Sequence, residues 1–201
     1  MKLGMRRQSW DAAASIDERR DEILKGLGAV LRERGFGALT MKDVADRLGL
    51  VKGNLYYYFK NKQDLIYHCH LKCMKISLDA LDEAKAGDGP ASERLRTLIV
   101  RHIRGMTEEA YGAVLLADLE SLTPAQRRRY VALRDRFENG VRRLIEEGVA
   151  RGEFRKQDAR VAGFATLGAI NWIPKWYRSD GDLSPVQIAE RFADFFLGAL
   201  K

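Results

Sequence analysis

Hydrophobic residues recur every three or four positions along most of the chain, and no stretch alternates apolar with polar residues as a half-buried strand would. The first predicted helix covers about residues 17–34, where Ile23, Leu27 and Leu31 lie on one face. Gly35 follows it as the expected C-cap. The pattern therefore predicts an all-α protein.

Two short helices are predicted after the first one. Thr40 is a good N-cap for the earlier of them, and Gly49 ends it. After a tight turn, Leu55, Tyr58 and Phe59 give the next helix an inward face. This is the spacing of a helix-turn-helix, whose second helix enters the major groove of DNA.

The rest of the chain is predicted to form a larger helical domain. A long helix runs over about residues 61–86, and Gly87 to Pro90 form the clearest break in the chain. Further helices are expected over about residues 92–106, 111–121, 124–151, 158–177 and 184–200. We therefore expect about nine helices in two domains: an N-terminal arm and helix-turn-helix head over residues 1–60, and a second domain over residues 61–201.

The last two predicted helices carry more apolar surface than one core-facing stripe requires. Between Val161 and Ile173 only Thr166 and Asn171 are polar, and the last helix presents a wide aromatic arc. That arc consists of Phe192, Phe195 and Phe196. The pattern predicts a two-fold homodimer formed through these two helices, about 158–177 and 184–200; the alternative is a pair of helices that are simply well buried.

Basic charge is concentrated in the first third of the chain. The net charge is +7, and residues 1–62 hold 13 Lys and Arg against 8 Asp and Glu, whereas the remainder is nearly balanced. Basic residues in one segment suit phosphate binding, because neutralising phosphates releases counterions. A solvated basic surface is the alternative explanation.

The cysteines and the hydropathy indicate where the protein works. Cys69 and Cys73 lie four positions apart in one predicted helix, so they cannot cross-link distant segments, which fits a reducing compartment. The chain has no apolar run of about 18 residues and its start lacks the apolar segment of a signal peptide. We therefore predict a cytoplasmic protein with no membrane span.

The outward face of the second short helix carries the candidate DNA chemistry. With its apolar residues turned inward, Lys52, Gly53, Tyr56, Tyr57 and Lys60 are left to face solvent or a ligand. A glycine costs about 1 kcal/mol in a helix relative to alanine, but its missing side chain allows close approach to a base edge or a phosphate. Tyrosine hydroxyls interleaved with lysines suit contacts with sugars, methyl groups and phosphates.

The string TMKDVADRLGLVKGNLYYYFKNKQDL, from Thr40 to Leu65, resembles the DNA-binding head of the TetR family of transcriptional repressors, and the likeness extends over about residues 17–66. The resemblance implies that one group of residues holds DNA phosphates: Thr40, Tyr57, Tyr58 and Lys62. It implies that Lys52, Gly53 and Tyr56 reach base edges. The full predicted DNA-binding set is Thr40, Lys42, Val51, Lys52, Gly53, Tyr56, Tyr57, Tyr58 and Lys62.

Val51 departs from the family pattern, which has Ser or Thr at the start of the recognition helix. A hydroxyl N-cap is worth about 1 kcal/mol, so this helix start is expected to be looser or capped by water. The alternative is that Val51 packs against a thymine methyl group. Either way, the phosphate contact made by the family's hydroxyl is in doubt.

The C-terminal stretch from Asn171 to Arg178, followed by residues 180–185, resembles the FadR/KstR-like subgroup of the family, which senses acyl or steroid-derived coenzyme A thioesters. The resemblance implies that the larger domain binds a ligand as well as forming the dimer. The candidate effector-binding residues are Trp172, Lys175, Trp176 and Arg178, with the run Arg127, Arg128 and Arg129 as a further source of positive charge. The tryptophans have an alternative role as core or dimer anchors, and the arginine run as a solvated surface.

Metal binding and catalysis have weaker signals. Cys69, His70, Cys73 and His102 have spacings that metal ligands use, but one helix cannot close a tetrahedral site, and small buried thiols are common in cores. No glycine-rich phosphate loop or nucleophile elbow is present. We expect no enzyme activity, no cofactor and no bound metal, with a metal-responsive regulator as a minor hypothesis.

The leading hypothesis is a homodimeric repressor that binds a pseudo-palindromic double-stranded operator and is released by a small-molecule effector, either an acyl-CoA thioester or another hydrophobic ligand. The alternative keeps the DNA binding but replaces the ligand by a protein partner. The interior of the larger domain discriminates between them: an apolar pocket with a basic mouth favours a small-molecule sensor, and a collapsed interior without a cavity favours protein interaction.

Overall fold

The computed structural model describes residues 15–108 and 119–201, and in these ranges it contains helices and no strand. The elements are α1 (Ile16–Ala38), α2 (Met41–Leu48), α3 (Lys52–Tyr58), α4 (Lys62–Ala86), α5 (Ala91–Glu108), a 3-10 turn (Leu119–Ser121), α6 (Pro124–Ala150), α7 (Ala159–Trp176) and α8 (Pro185–Leu200). The predicted all-α class is confirmed.

Two predicted helix boundaries differ from the structure. The expected C-cap at Gly35 is wrong, because α1 continues to Ala38. A glycine tolerates helical backbone angles as well as the left-handed region, so by itself it does not end a helix. The helix predicted over about residues 111–121 falls mostly outside the described residues, and its last three residues, Leu119–Ser121, form the 3-10 turn.

The helix starts agree with the capping signals in the sequence. Thr40, Thr123 and Ser184 each accept a hydrogen bond from the backbone N–H three residues later, and in each case the residue at that position bonds back to the cap. Asn61 caps α4 by accepting from the Asp64 N–H. At the other end of α2, Gly49 adopts φ +65, a left-handed conformation that glycine reaches without steric cost. Each such side-chain cap contributes about 1 kcal/mol.

The first three helices and the start of α4 share one apolar core. Its fully buried members include Ile23, Leu27, Val44, Leu55 and Phe59. These residues come from all three helices and the α3 C-cap, so the core fixes the angle of α3 relative to α1 and α2.

The larger domain is built around α5, which packs against α4, α6 and α8, while α6 also packs against α4 and α7. Gly140 permits the close approach of α6 to α4, because an added Cβ would overlap the Leu81 side chain. In the described part of the chain, no helix is long and apolar enough to cross a membrane.

Side-chain contacts tie α4 to α1 and to the segment before α6. The Lys72 ammonium, in the middle of α4, pairs with the Asp21 carboxylate of α1. The Gln63 side chain, in the first turn of α4, donates a hydrogen bond to the Ser121 carbonyl. The long helix α4 is therefore tied both to α1 and to the segment before α6.

Candidate DNA interface and ligand cavity

The surface of α3 presents tyrosines and open backbone to solvent. Tyr56 is 43% exposed and Tyr57 is 71% exposed. Gly53 is exposed, and a Cβ added there would meet nothing within 4 Å. Lys52 is the first residue of the helix, and its side chain lies outside what the structure describes. The predicted outward placement of Gly53, Tyr56 and Tyr57 agrees with these exposures.

The start of α3 lacks a side-chain cap. Val51 occupies the N-cap position with φ −72 and ψ 135, makes no side-chain hydrogen bond there, and is 73% exposed. Tyr58, predicted both to face inward and to hold phosphate, is half-buried, and its ring meets the Tyr57 ring edge-on with centroids 5.0 Å apart. It therefore packs partly against the core while part of its surface stays accessible.

The remaining predicted DNA contacts lie at helix starts. The Thr40 hydroxyl donates to the Asp43 carboxylate over 2.6 Å, and Thr40 is exposed. Lys42, in the first turn of α2, is exposed and pairs with Asp46 at 2.7 Å. Lys62 opens α4 and is half-buried. Exposed N–H groups and cations at helix starts are suited to phosphate oxygens.

A cavity of about 240 Å³ lies in the larger domain, enclosed by helices α4 to α7. Its lining residues are Cys73, Met74, Ser77, His102, Tyr130, Arg134, Phe137, Glu138, Phe164, Leu167, Gly168 and Asn171. Arg134, Phe164, Gly168 and Asn171 are exposed, so the cavity reaches the surface between α6 and α7. Its inner wall is apolar apart from a few hydrogen-bonding groups.

The hydrogen-bonding groups on the inner wall of the cavity are uncharged at neutral pH. Burial lowers the pKa of His102 to about 4, and it raises the pKa of Cys73 and of Tyr130 to about 12. The Ser77 hydroxyl donates to the Cys73 carbonyl over 3.1 Å within α4. The deep part of the cavity is therefore suited to an apolar ligand with one or two neutral polar atoms.

The four residues predicted to bind the effector do not line this cavity. Trp172 is 60% exposed, with the Lys175 ammonium 5.8 Å from its ring centre. The Trp176 ring stacks on Phe192 with centroids 6.2 Å apart, and Arg178 pairs with an aspartate in the turn that follows. Their neighbour Asn171 is the cavity-lining residue of that stretch.

Nothing in the sequence singles out Ser77, Tyr130 and Phe137 as cavity residues. His102 drew attention only as a possible metal donor. A signal was present for it, since a histidine at a core position of an amphipathic helix needs a polar partner. Of the arginine run, Arg127 and Arg128 line a separate surface depression beside the 3-10 turn.

The metal-responsive hypothesis gains no support from the geometry. Across residues 15–108 and 119–201, no group of three or more His, Cys, Asp and Glu is arranged to hold a metal ion. Burial raises the pKa of the Cys69 and Cys73 thiols, so both stay protonated, whereas a metal binds the thiolate.

Helices α7 and α8 leave large hydrophobic side chains in solvent. On α7 these are Val161, Phe164, Trp172 and Trp176, and on α8 they are Val186 and Phe195, the last of them 69% exposed. The four α7 residues recur at spacings that place them along one side of that helix, whereas Val186 and Phe195, nine positions apart, lie on opposite sides of α8. Helix α7 packs on α6, and α8 packs on α5. We refer to the four α7 residues together with Phe195 as the α7/α8 face.

Both parts of the chain match known protein families. Residues 23–69 match the family described as bacterial regulatory proteins of the tetR family, and residues 88–200 match the tetracyclin repressor-like C-terminal domain. The HTH-type transcriptional repressor KstR2 of Mycobacterium tuberculosis is 25% identical over 197 residues, covering 94% of this chain and 96% of KstR2.

Solved structures show the same architecture. The TetR family regulator PfmR from Thermus thermophilus has a TM-score of 0.80 and 33% identity, covering 89% of this chain and 98% of PfmR. AibR, solved with isovaleryl coenzyme A and operator DNA, has a TM-score of 0.75 and 24% identity, covering 90% and 97%. The helical head, the larger helical domain and these matches together show that the chain belongs to the TetR family and is a DNA-binding transcriptional regulator, not an enzyme.

Proposed function

We propose that this protein is a homodimeric repressor that leaves its operator when a small hydrophobic ligand occupies the cavity between α4 and α7. One observation carries the proposal: α4 both lines the cavity and positions the DNA-binding head. It supplies Cys73, Met74 and Ser77 to the wall and begins at Lys62, shortly after α3 ends. At 1.5 Å per residue, the cavity wall is only about 16 Å along this helix from its start.

The DNA-binding part of the proposal rests on the surface of α3. We assign Lys52, Gly53 and Tyr56 to base edges in the major groove, and Thr40, Lys42, Tyr57, Tyr58 and Lys62 to phosphates. The exposed tyrosines and the side-chain-free surface at Gly53 support this assignment. Val51, exposed beside them, is assigned to apolar contact with a base.

The dimer is proposed to form through the α7/α8 face. Exposed aromatic residues along two adjacent helices favour a second copy of the same surface, because a two-fold axis lets one patch cover another. Trp172 and Trp176 are assigned to this interface rather than to the ligand, since both are exposed and neither lines the cavity. A two-fold dimer would place two copies of α3 on a pseudo-palindromic operator.

The ligand class is proposed from the size and polarity of the cavity. A cavity of about 150 Å³ holds benzene, and sites for drug-sized ligands measure about 300–1,000 Å³. A volume of about 240 Å³ therefore fits an acyl chain or a small ring, but not a whole coenzyme A thioester. We propose that the acyl part of a coenzyme A thioester occupies the cavity. Isovaleryl coenzyme A, the compound in the AibR complex, is a thioester of this class. Lys175 and Arg178 stay candidates for phosphate contacts outside the cavity.

Regulation by a protein partner is the competing function. A collapsed interior would have favoured it, whereas the apolar cavity supports a ligand. The described lining carries one arginine, Arg134, and one glutamate, Glu138, so the basic mouth expected of a sensor is not seen there. Release further requires that the ligand bind the DNA-free arrangement of the heads more tightly than the DNA-bound one.

The test is a binding titration with the DNA upstream of the protein's own gene, repeated with a panel of acyl and aryl coenzyme A thioesters and the matching free acids. We expect tight binding that short-chain thioesters weaken. The Ser77→Met side chain should fill the cavity, so this variant should bind DNA but no longer respond to thioesters. The control Ser77→Ala removes only the hydroxyl and should respond to thioesters as the wild type does. Tight binding that no compound disturbs would reject the ligand hypothesis and favour a protein partner.

A further inference from the structure

The buried polar side chain of His102 lines the cavity. It is 2% exposed, and the centroid of its ring lies 4.8 Å from the centroid of the Phe137 ring. Neither ring nitrogen has a hydrogen-bond partner among the described residues. Buried polar groups are nearly always hydrogen-bonded, so such an exception needs an explanation. A neutral imidazole offers one N–H donor and one acceptor nitrogen.

His70 provides an internal comparison. It is 1% exposed, lies 4.8 Å from the Tyr130 ring, and also has no hydrogen-bond partner for either nitrogen in the described part of the chain. Burial lowers its pKa to about 4, as it does for His102. The two differ in one respect, because His70 does not line the cavity. Access to the cavity therefore distinguishes His102 from His70.

The charges around the cavity decide which ligand group would suit His102. Among the described residues that line it, Arg134 is the one with a permanent positive charge. Its side chain is 48% exposed and pairs with Asp135, and Glu138 also lines the cavity. A ligand carboxylate next to His102 would therefore be buried without a cation free to pair with it, which is unfavourable.

We propose that His102 anchors the ligand through an uncharged oxygen, such as the carbonyl oxygen of a thioester, ester or ketone, and that the cavity rejects the corresponding carboxylates. The inference rests on the proposed function, which makes this cavity the effector site. The imidazole N–H donates to the carbonyl oxygen while apolar walls hold the rest of the group. The protein then responds to activated or neutral acyl compounds and ignores the free acids released from them.

The test uses three probes that share one benzene ring: acetophenone with a neutral carbonyl, benzoate with a carboxylate, and ethylbenzene with neither. Each is titrated at pH 7 into the full-length protein labelled with nitrogen-15 in its three histidines. Dissociation constants and the ring-nitrogen resonances are recorded for the wild type, for His102→Leu and for the control His70→Leu.

We expect acetophenone to shift the His102 resonances and to bind roughly tenfold more tightly than ethylbenzene, with benzoate weakest of the three. His102→Leu should reduce the preference for acetophenone over ethylbenzene to about one, and His70→Leu should preserve it. If either variant fails to fold, the wild-type resonances and the order of the three affinities still decide the question.

Three results would overturn the inference: benzoate binding as tightly as acetophenone, an unchanged preference in His102→Leu, or no probe reaching His102. Its failure is separable from that of the proposed function. Operator release by thioesters that is identical in the wild type and in His102→Leu would leave the ligand-released repressor standing and remove only this anchor.

Discussion

The side-chain amide of Gln63 donates a hydrogen bond to the main-chain carbonyl of Ser121, although the two residues are 58 positions apart. Gln63 lies in the first turn of α4, next to the recognition helix, and Ser121 ends the 3-10 turn that precedes α6. Because Tyr130 and Arg134 of α6 line the cavity, this hydrogen bond connects the DNA-binding head to a helix that the ligand would contact.

Replacing Gln63 should therefore weaken communication between ligand and DNA. A net hydrogen bond is worth about 1 kcal/mol, so Gln63→Ala should reduce the effect of ligand on operator affinity by about fivefold. The measurement is operator affinity with and without a thioester that releases the wild type. The control is Gln157→Ala, which removes a similar hydrogen bond, 3.1 Å long, to the Leu200 carbonyl far from the head. Equal responses in both variants would show that the Gln63 contact transmits nothing.

A hydroxyl at position 51 should stabilise the free protein. Val51 is an N-cap without a side-chain hydrogen bond, so Val51→Ser should raise the free energy of unfolding by about 1 kcal/mol in urea titrations. Thr40→Ala, which removes an existing cap, should lower it by a similar amount. If Val51 packs on a thymine methyl group, Val51→Ser should also lower operator affinity. Unchanged stability would mean that water already caps α3.

Phosphate and base contacts should separate in DNA titrations. Lys62→Ala is expected to weaken binding to every DNA sequence and to reduce the slope of log affinity against log salt by about one unit. Tyr56→Ala and Lys52→Ala should also relax the preference for operator over random DNA, because they are assigned to base edges. A Lys52→Ala variant with wild-type affinity and selectivity would show that the outward surface of α3 has been assigned incorrectly.

A charge on the α7/α8 face should produce monomers. Phe195 is 69% exposed, so Phe195→Glu costs little in the single chain but would bury two carboxylates in a symmetric dimer. Sedimentation should show a monomer, and circular dichroism should show unchanged helix content. Operator affinity, measured by DNA titration, should fall by at least about tenfold. Ile16→Glu, at a 52% exposed position of α1, serves as the control and should stay dimeric. A Phe195→Glu dimer would place the interface elsewhere.

The two buried histidines should make the fold sensitive to mild acid. His70 and His102 have their pKa lowered from 6.5 to about 4 by burial, so between pH 6.5 and 4 the unfolded chain binds more protons than the folded one. The free energy of unfolding is therefore highest above pH 6.5 and falls as the pH decreases. At pH 5 each histidine should have lowered it by about 2 kcal/mol.

Urea midpoints at pH 7 and pH 5 measure this effect. His70→Leu and His102→Leu should each remove part of the loss seen in the wild type. His68→Gln should remove less, since its side chain is 33% exposed. A wild type equally stable at both pH values would contradict neutral, buried imidazoles.

Most helix starts and the fold class followed from the sequence because both depend on local chemistry. A cap such as Thr123 acts on the N–H groups of the next turn, and apolar spacing identifies the buried face of a helix without reference to its partners. The same reasoning placed Leu55 and Phe59 inside and Tyr57 outside. It failed at Gly35, because a glycine tolerates helical backbone angles and does not by itself end a helix.

The cavity was decided only by the tertiary structure. Ser77, His102, Phe137 and Leu167 come from four helices, and each belongs to a face that the sequence identifies simply as apolar or buried. Whether such faces meet closely or leave a gap depends on how the helices cross and on residues such as Gly140 that set their separation. For the same reason the sequence could not place Trp172 relative to the cavity, and the structure leaves this residue of α7 on the surface. Periodicity determines which side of a helix is buried, but only the assembled helices determine what that side encloses.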